Sequence, residues 1–80
     1  MNLNIKYFGR IVEITGVDEE RLECSDSINL AEFRSLLLSR YYPDLKGESF
    51  QIAVDQEVKS EDFRIDKDCE LAILPPFAGG

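Results

Sequence analysis

The stretch Leu71-Ala72-Ile73-Leu74-Pro75-Pro76 decides how this chain folds. Its four consecutive apolar residues are typical of a central strand that is buried on both faces of a sheet. The two prolines end that strand, because proline lacks the backbone N–H that a sheet ladder requires. We therefore expect a central strand over residues 71–74, preceded by a polar turn at Asp66-Lys67-Asp68.

An opening hairpin is expected at the other end of the sequence. Residues 3–7 alternate apolar and polar side chains, which predicts a half-buried strand that ends at Phe8-Gly9. A turn around Gly16-Val17-Asp18 should reverse the chain into a strand at residues 21–24. We expect the first strand to lie beside the last one, in the middle of the sheet.

The main helix is predicted to begin after Asn29. Asn29 is a favourable N-cap, and Glu32 completes a capping box with it. Apolar side chains then follow at helical spacing, at Leu30, Phe33, Leu37 and Tyr41. Pro43 should end the helix, because it disfavours helical geometry in the residue before it.

A second hairpin completes the expected fold. Residues 50–54 alternate as a strand, Asp55-Gln56 offers a turn, and Val58 begins a short return strand. The element order predicts an α+β fold, with a mixed sheet of four to five strands packed on one main helix. We expect one domain over residues 1–76 and a flexible Gly-Gly tail over residues 77–80.

Composition excludes several function classes. The 80 residues have a net charge of −7 and contain no histidine, so we expect no nucleic-acid partner and no imidazole-based catalysis. No apolar run is long enough to cross a bilayer, and the first residues do not resemble a signal peptide. We therefore expect a cytoplasmic protein that does not act at a membrane.

No metal site is expected from the cysteine and acidic residues. Cys24 and Cys69 are too few for a structural zinc site, and both are predicted to be buried strand thiols without a disulfide. Asp18-Glu19-Glu20 is interpreted as a solvated turn. Asp66, Asp68 and Glu70 lack the other ligands of a calcium loop.

The chemistry is expected at the carboxyl-terminal segment. Pro75 and Pro76 stiffen the exit from the sheet, and Gly79 and Gly80 lack a Cβ, so the tail could enter a narrow pocket of a partner. Extended, the four residues after Pro76 reach roughly 13 Å. The residues alone leave open a second interpretation, a mobile stub without function.

The ending Leu74-Pro75-Pro76-Phe77-Ala78-Gly79-Gly80 resembles that of the sulfur-carrier subunits of molybdopterin synthase, which are ubiquitin-like β-grasp proteins. The resemblance extends to Ile65-Asp66-Lys67-Asp68 with Glu70, and to Lys6-Tyr7-Phe8 with Glu13 and Gly16. Lys67 and Phe77 depart from the residues that are common in the family, but neither alters the reactive end.

The resemblance implies that this chain is a sulfur donor and no enzyme by itself. An E1-like adenylating enzyme, using ATP and Mg²⁺, would activate the Gly80 carboxylate, and a sulfurtransferase would supply the sulfur for a thiocarboxylate. The acceptor would be cyclic pyranopterin monophosphate, held in the large subunit of a heterotetramer. The tail residues Pro75, Pro76, Phe77, Ala78 and Gly79 would bind the partner, and the chain would bind no cofactor.

Two further points stay open at the level of sequence. Phe8 and Arg10 are candidate interface residues, although Phe8 fits the core equally well. Related functions also fit the tail: sulfur supply for thiamine or tRNA thiolation, or conjugation to proteins as ubiquitin-like modifiers do. A third class is an adaptor domain whose tail has no chemistry.

Overall fold

Residues 1–76, which the computed structural model describes, form seven strands and two helices. The expected tail over residues 77–80 lies outside the described residues. In chain order the elements are β1 (Asn2–Tyr7), α1 (Arg10–Thr15), β2 (Glu19–Glu23), β3 (Ile28–Asn29), α2 (Leu30–Arg40), β4 (Gln51–Val54), β5 (Glu57–Val58), β6 (Arg64–Ile65) and β7 (Cys69–Leu74).

A mixed five-stranded sheet organises the described chain, in the order β2-β1-β7-β4-β5. β1 and β7 are parallel, and the other neighbours in this sheet are antiparallel. The last strand therefore lies in the middle of the sheet beside the first, as predicted. The α+β class, with the sheet packed on one main helix, is confirmed.

The prediction that β7 is buried on both faces is wrong. Leu71 and Ile73 are fully buried, whereas Ala72 and Leu74 between them are half-buried. The strand thus follows the alternation of a sheet with one covered face, because side chains point to opposite faces in turn. The described core lies on one face only, with β1 and β7 contributing Leu3, Ile5, Tyr7, Leu71 and Ile73.

Helix α2 packs on the core through the predicted stripe. The capping box is confirmed: the backbone N–H of Glu32 donates to Asn29 Oδ1, and the N–H of Asn29 donates to Glu32 Oε1, both at 2.8 Å. Three buried side chains face the core, at Leu30, Phe33 and Leu37. Tyr41 lies at the C-cap, so the helix ends before Pro43.

Three short elements, α1, β3 and β6, escaped the sequence prediction. Helix α1 has only six residues between Gly9 and Gly16, too few for a helical period to be visible, although it buries Ile11. The antiparallel pair β3–β6 has two residues in each strand. All three depend on neighbours distant in sequence, since short segments have little intrinsic stability.

The cysteine prediction needs correction. Cys69 lies in β7 and Cys24 directly follows β2, but both side chains are half-buried rather than buried, and both are free thiols. Burial raises the pKa of Cys69 to about 11, and the nearby carboxylates of Asp55 and Asp68 contribute to that rise. The thiol therefore stays protonated at neutral pH, which makes it a poor nucleophile.

Candidate functional site at the root of the tail

The chain leaves the sheet at the end of β7, next to the turn that follows β1. Tyr7 is paired with Ile73 in the parallel ladder, and the N–H of Phe8 donates to the carbonyl of Ile73 at 3.2 Å. Because parallel strands end on the same side, the turn at Phe8 and the exit at Pro75 are adjacent. We call this region the tail root; it comprises residues 8–11, 48–49 and 75–76.

The tail root holds a shallow cavity at the surface. Its volume is about 130 Å³, and it is lined by Arg10, Ile11, Glu48, Ser49, Pro75 and Pro76. An ion pair between Arg10 Nε and Glu48 Oε1, 3.2 Å apart, joins the first turn of α1 to the loop before β4. The Arg10 side chain is 68% exposed, so this pair contributes little to stability.

The structure brings together four of the predicted site residues. Phe8 is 43% exposed, which makes the core interpretation of Phe8 wrong. Arg10 is on the surface, Pro75 is half-buried and Pro76 is exposed. The other predicted positions lie outside the described residues: Phe77, Ala78, Gly79 and Gly80.

The described part of the tail root offers few reactive side chains. The cavity lining contains one carboxylate, Glu48, and one guanidinium, Arg10, and these pair with each other. Residues 1–76 contain no group of three or more side chains that could hold a metal ion. Phe8 and Pro76 are exposed at this surface, where the described chain ends.

A second cluster, which the sequence interpretation missed, surrounds Glu20. The register pairs Ile5 with Glu20, so Glu20 lies on the core face of β2. Its carboxylate accepts hydrogen bonds from the hydroxyls of Tyr7 and Tyr41, and it pairs with Arg40 Nη2 at 2.9 Å. We call these four residues the Glu20 corner.

The interpretation of Asp18-Glu19-Glu20 as a solvated turn is therefore wrong for Glu20. Its side chain is only 15% exposed. Alternation with Leu22 in the same strand was the signal that places Glu20 on the inner face. The partners could not be inferred, because Tyr41 reaches Glu20 only once α2 has packed on the sheet.

Opposing effects set the ionisation of this corner. Burial raises the pKa of Glu20, but hydrogen bonds from Tyr41, Tyr7 and Arg40 outweigh it, so the net pKa lies below its usual value of 4.5. Burial and the Glu20 carboxylate raise the pKa of Tyr7 and Tyr41. The corner is therefore one carboxylate held by protonated donors, and all four side chains are used to join β1, β2 and α2.

A larger cavity, of about 600 Å³, lies beside the carboxyl-terminal half of α2. It is lined by Arg34, Leu38, Ser39, Tyr42, Lys46, Gly47, Glu48 and Phe50. Within this lining the Arg34 guanidinium lies 4.4 Å from the centre of the Phe50 ring, and it also pairs with Glu61. None of these residues was a candidate site residue at the level of sequence.

Comparison with known families identifies the chain. The sequence profile described as the ThiS family matches residues 5–80. The chain belongs to the ThiS family. The match includes the tail, which carries the resemblance to sulfur carriers, and that resemblance is confirmed. A curated relative in Caenorhabditis briggsae, named "Molybdopterin synthase sulfur carrier subunit", is 29% identical over 83 residues, covering 100% of this chain and 99% of the relative.

Solved structures support the ubiquitin-like β-grasp fold of this ThiS-family chain. A protein titled a molybdopterin converting factor subunit 1 from Pyrococcus furiosus has a TM-score of 0.84 at 24% identity, covering 94% of this chain and 97% of that one. Small archaeal modifier protein 1 of Haloferax volcanii has a TM-score of 0.77 at 19% identity, with coverage of 94% and 97%.

A third structure is a complex of subunits 1 and 2 of the Helicobacter pylori molybdopterin-converting factor. The similar chain has a TM-score of 0.69 at 20% identity, and both chains are covered completely. At these identities the structures establish the fold of the ThiS-family chain and no more.

Neither helix within residues 1–76 has the length and apolar character of a membrane-crossing helix.

Proposed function

We propose that this chain is a sulfur carrier for molybdopterin synthesis and that the carboxylate of Gly80 carries the sulfur. The main support for this proposal is that the two prolines before the Gly-Gly ending lie at the surface, directly after β7. β7 brings Pro75 and Pro76 to the surface, and the sequence Phe77-Ala78-Gly79-Gly80 follows directly. Membership of the ThiS family and the full-length similarity to named sulfur carrier subunits support it.

The first chemical step is activation of the carboxylate. A carboxylate is a poor electrophile, because its charge is delocalised and its oxygen is a poor leaving group. An oxygen of the Gly80 carboxylate attacks the α-phosphorus of ATP, pyrophosphate leaves, and an acyl-adenylate remains. ATP and Mg²⁺ belong to the E1-like adenylating enzyme, and this chain binds no cofactor of its own.

The second step exchanges oxygen for sulfur. Sulfur at the oxidation level of hydrosulfide, provided by a sulfurtransferase, attacks the Gly80 carbonyl carbon, and AMP leaves with the former carboxylate oxygen. The product is a thiocarboxylate, whose sulfur is anionic at neutral pH and nucleophilic, as thiolates are. The chain is thereby converted from a substrate of the activating enzyme into a sulfur donor.

The third step takes place in a partner. The acceptor is cyclic pyranopterin monophosphate, held in the large subunit of molybdopterin synthase, and two such transfers build the dithiolene. In each transfer the thiocarboxylate sulfur bonds to a side-chain carbon of the pterin, and an oxygen substituent leaves that carbon. Water then cleaves the thioester to Gly80, so the sulfur stays on the pterin and the carrier returns as a carboxylate. The complex from Helicobacter pylori supports a large-subunit partner, and a heterotetramer in the cytoplasm is the proposed assembly.

The proposed contact surface on this chain is the tail root together with residues 77–79. Pro75, Pro76, Phe77, Ala78 and Gly79 enter the partner, and exposed Phe8 and Arg10 contact its rim. An exposed aromatic beside a charged residue is typical of protein interfaces. We expect the isolated chain to have no turnover, since its sequence contains no histidine and the ionisable side chains of the tail root, Arg10 and Glu48, pair with each other.

The test is reconstitution with a sulfur-carrier adenylating enzyme, ATP, Mg²⁺ and a sulfur source, followed by intact mass spectrometry. We expect the chain to gain the sulfur-for-oxygen mass difference, and the charged chain to convert cyclic pyranopterin monophosphate when the large subunit is added. A chain that lacks Gly80 is the control. No mass change with any activating enzyme would indicate an adaptor domain.

Two other outcomes separate the related functions. A thiocarboxylate that forms but does not react with the pterin would favour thiamine or tRNA thiolation. Attachment to protein lysines would favour a ubiquitin-like modifier. A pull-down from the native host complements the assay, since recovery of a pterin-binding large subunit supports the proposed pathway.

A further inference from the structure

Gly9 has a backbone conformation that other residues rarely adopt. It lies between β1 and α1, with φ of 58° and ψ of −135°, and it is the N-cap of α1 without a side chain to cap it. This region of φ and ψ is almost restricted to glycine, because an L side chain would clash with its own backbone.

Gly9 is also in close contact with the tail root. A Cβ built on Gly9 would lie 3.0 Å from Cγ of Pro75 and 3.8 Å from its Cδ. The same construction on Gly16, with φ of 80°, or on Gly47, with φ of 86°, finds no atom within 4 Å. Among these three glycines, only Gly9 lies against the segment that leads to the tail.

The contact cannot be relieved by a side-chain rotation. The Pro75 ring is closed on its own backbone nitrogen, so it can pucker but has no rotamer that moves it away. The turn cannot move away either, because the N–H of Phe8 donates a hydrogen bond to the Ile73 carbonyl at 3.2 Å and holds the turn against β7. A larger residue at position 9 would therefore have to push the Pro75 ring aside by a few tenths of an ångström, against a segment that is held on both sides.

We propose that Gly9 is a positioning residue for sulfur loading and transfer: its missing Cβ lets the β1–α1 turn pack against Pro75 and fixes the direction in which the chain leaves the sheet. The proposal rests on the proposed function of Gly80. Four residues separate Pro76 from the end of the sequence and reach roughly 13 Å when extended. The direction of the chain at Pro75 therefore sets the point and the angle from which these four residues must reach a partner's active site.

The test compares Gly9→Ala with Gly16→Ala. Both substitutions place alanine at a positive φ, but only the first adds a Cβ against Pro75. Adenylation of each chain by the activating enzyme is followed over a range of carrier concentrations, at a temperature well below each melting transition. We expect kcat/KM to fall about tenfold or more for Gly9→Ala, including a fall in kcat, because misplacement by 1 Å can cost on the order of a hundredfold.

Gly16→Ala should keep kcat/KM within about twofold of the parent, even where it lowers the melting temperature. Equal rates for the two variants would overturn the proposal. Failure of the parent chain to be adenylated would instead contradict the proposed function, so the two failures are distinguishable.

The Pro75→Ala background provides a rescue experiment. With the ring absent, the Cβ added at position 9 has no Cγ to meet, so the loss caused by Gly9→Ala should shrink to less than about threefold when measured against Pro75→Ala alone. If Gly9→Ala does not fold, the thermal melt of the double variant, Gly9→Ala with Pro75→Ala, is measured instead. Recovery of folding in that variant shows the same coupling between positions 9 and 75. A tenfold loss in both backgrounds, or a double variant that also fails to fold, would show that the Pro75 contact does not position the tail.

Discussion

The Glu20 corner and the tail root both flank the end of β1, but they use different parts of the chain. The Glu20 corner gathers ionisable side chains, with Tyr7, Tyr41 and Arg40 on one carboxylate. The tail root has one exposed ion pair, two prolines and a glycine in an unusual conformation. The Glu20 corner looks most like catalytic machinery, but its side chains stabilise the fold. The proposed function depends instead on where the backbone of the tail root lies.

The largest effect is predicted at the chain end that follows the tail root. Deletion of Gly80, or extension by one residue, should reduce sulfur transfer by at least about a hundredfold, because either change moves or replaces the reacting carboxyl. The melting temperature should barely change, since terminal residues of this kind contribute little to a core. A reconstituted transfer assay and a thermal melt measure both quantities.

Gly79→Ala is the graded control, because it adds one methyl group and keeps the carboxyl in place. It should be milder than deletion of Gly80. If a chain that lacks Gly80 transferred sulfur at the parental rate, the mechanism would be contradicted. The chain end would then not be the functional site.

The Glu20 corner should show the opposite behaviour. Glu20→Ala removes the acceptor of two tyrosine hydroxyls and the partner of Arg40, so we expect a loss of about 2 to 3 kcal/mol in the free energy of unfolding. For a domain of this length that corresponds to a fall of about 10 to 20 °C in melting temperature. Glu23→Ala, at an exposed position of the same strand, is the matched control and should change little.

Activity completes this test. Below its melting transition, Glu20→Ala should be charged with sulfur at nearly the parental rate. A large loss of sulfur loading in a folded Glu20→Ala chain would show that the Glu20 corner takes part in function. It would contradict the view that this corner only stabilises the fold.

The stability that the Glu20 corner contributes should depend on pH. The pKa of Glu20 is lowered in the folded protein from its usual 4.5. The unfolded chain therefore binds the proton more readily, so the stabilisation is present above about pH 5 and is lost as pH falls through the folded pKa. Melting temperature should drop less between pH 7 and pH 3 in Glu20→Gln than in the parent. Identical acid profiles would contradict this assignment.

A small effect on stability is predicted for Arg10→Ala. The ion pair with Glu48 is exposed, so its loss should change the free energy of unfolding by less than about 0.5 kcal/mol. Binding to the large subunit, measured by calorimetry, should nevertheless weaken if Arg10 contacts the partner. Unchanged affinity would remove Arg10 from the proposed interface.

Local patterns in the sequence determined much of the fold. Alternation in β1 and β4, the Asn29–Glu32 capping box and the two prolines after β7 act within a few residues, and each element was predicted from them. The proposed reactive end was also readable, because the diproline and Gly-Gly ending is recognised from residue types and their order.

Tertiary structure decided what local patterns could not. Glu20 receives its hydrogen bonds from Tyr7 and Tyr41, 13 and 21 residues away, and these contacts exist only when strand register and helix packing are both set. Burial of one sheet face, helix α1 and the contact between Gly9 and Pro75 have the same origin. Such features arise because folding places distant residues within van der Waals distance, and a linear pattern carries no direct record of that distance.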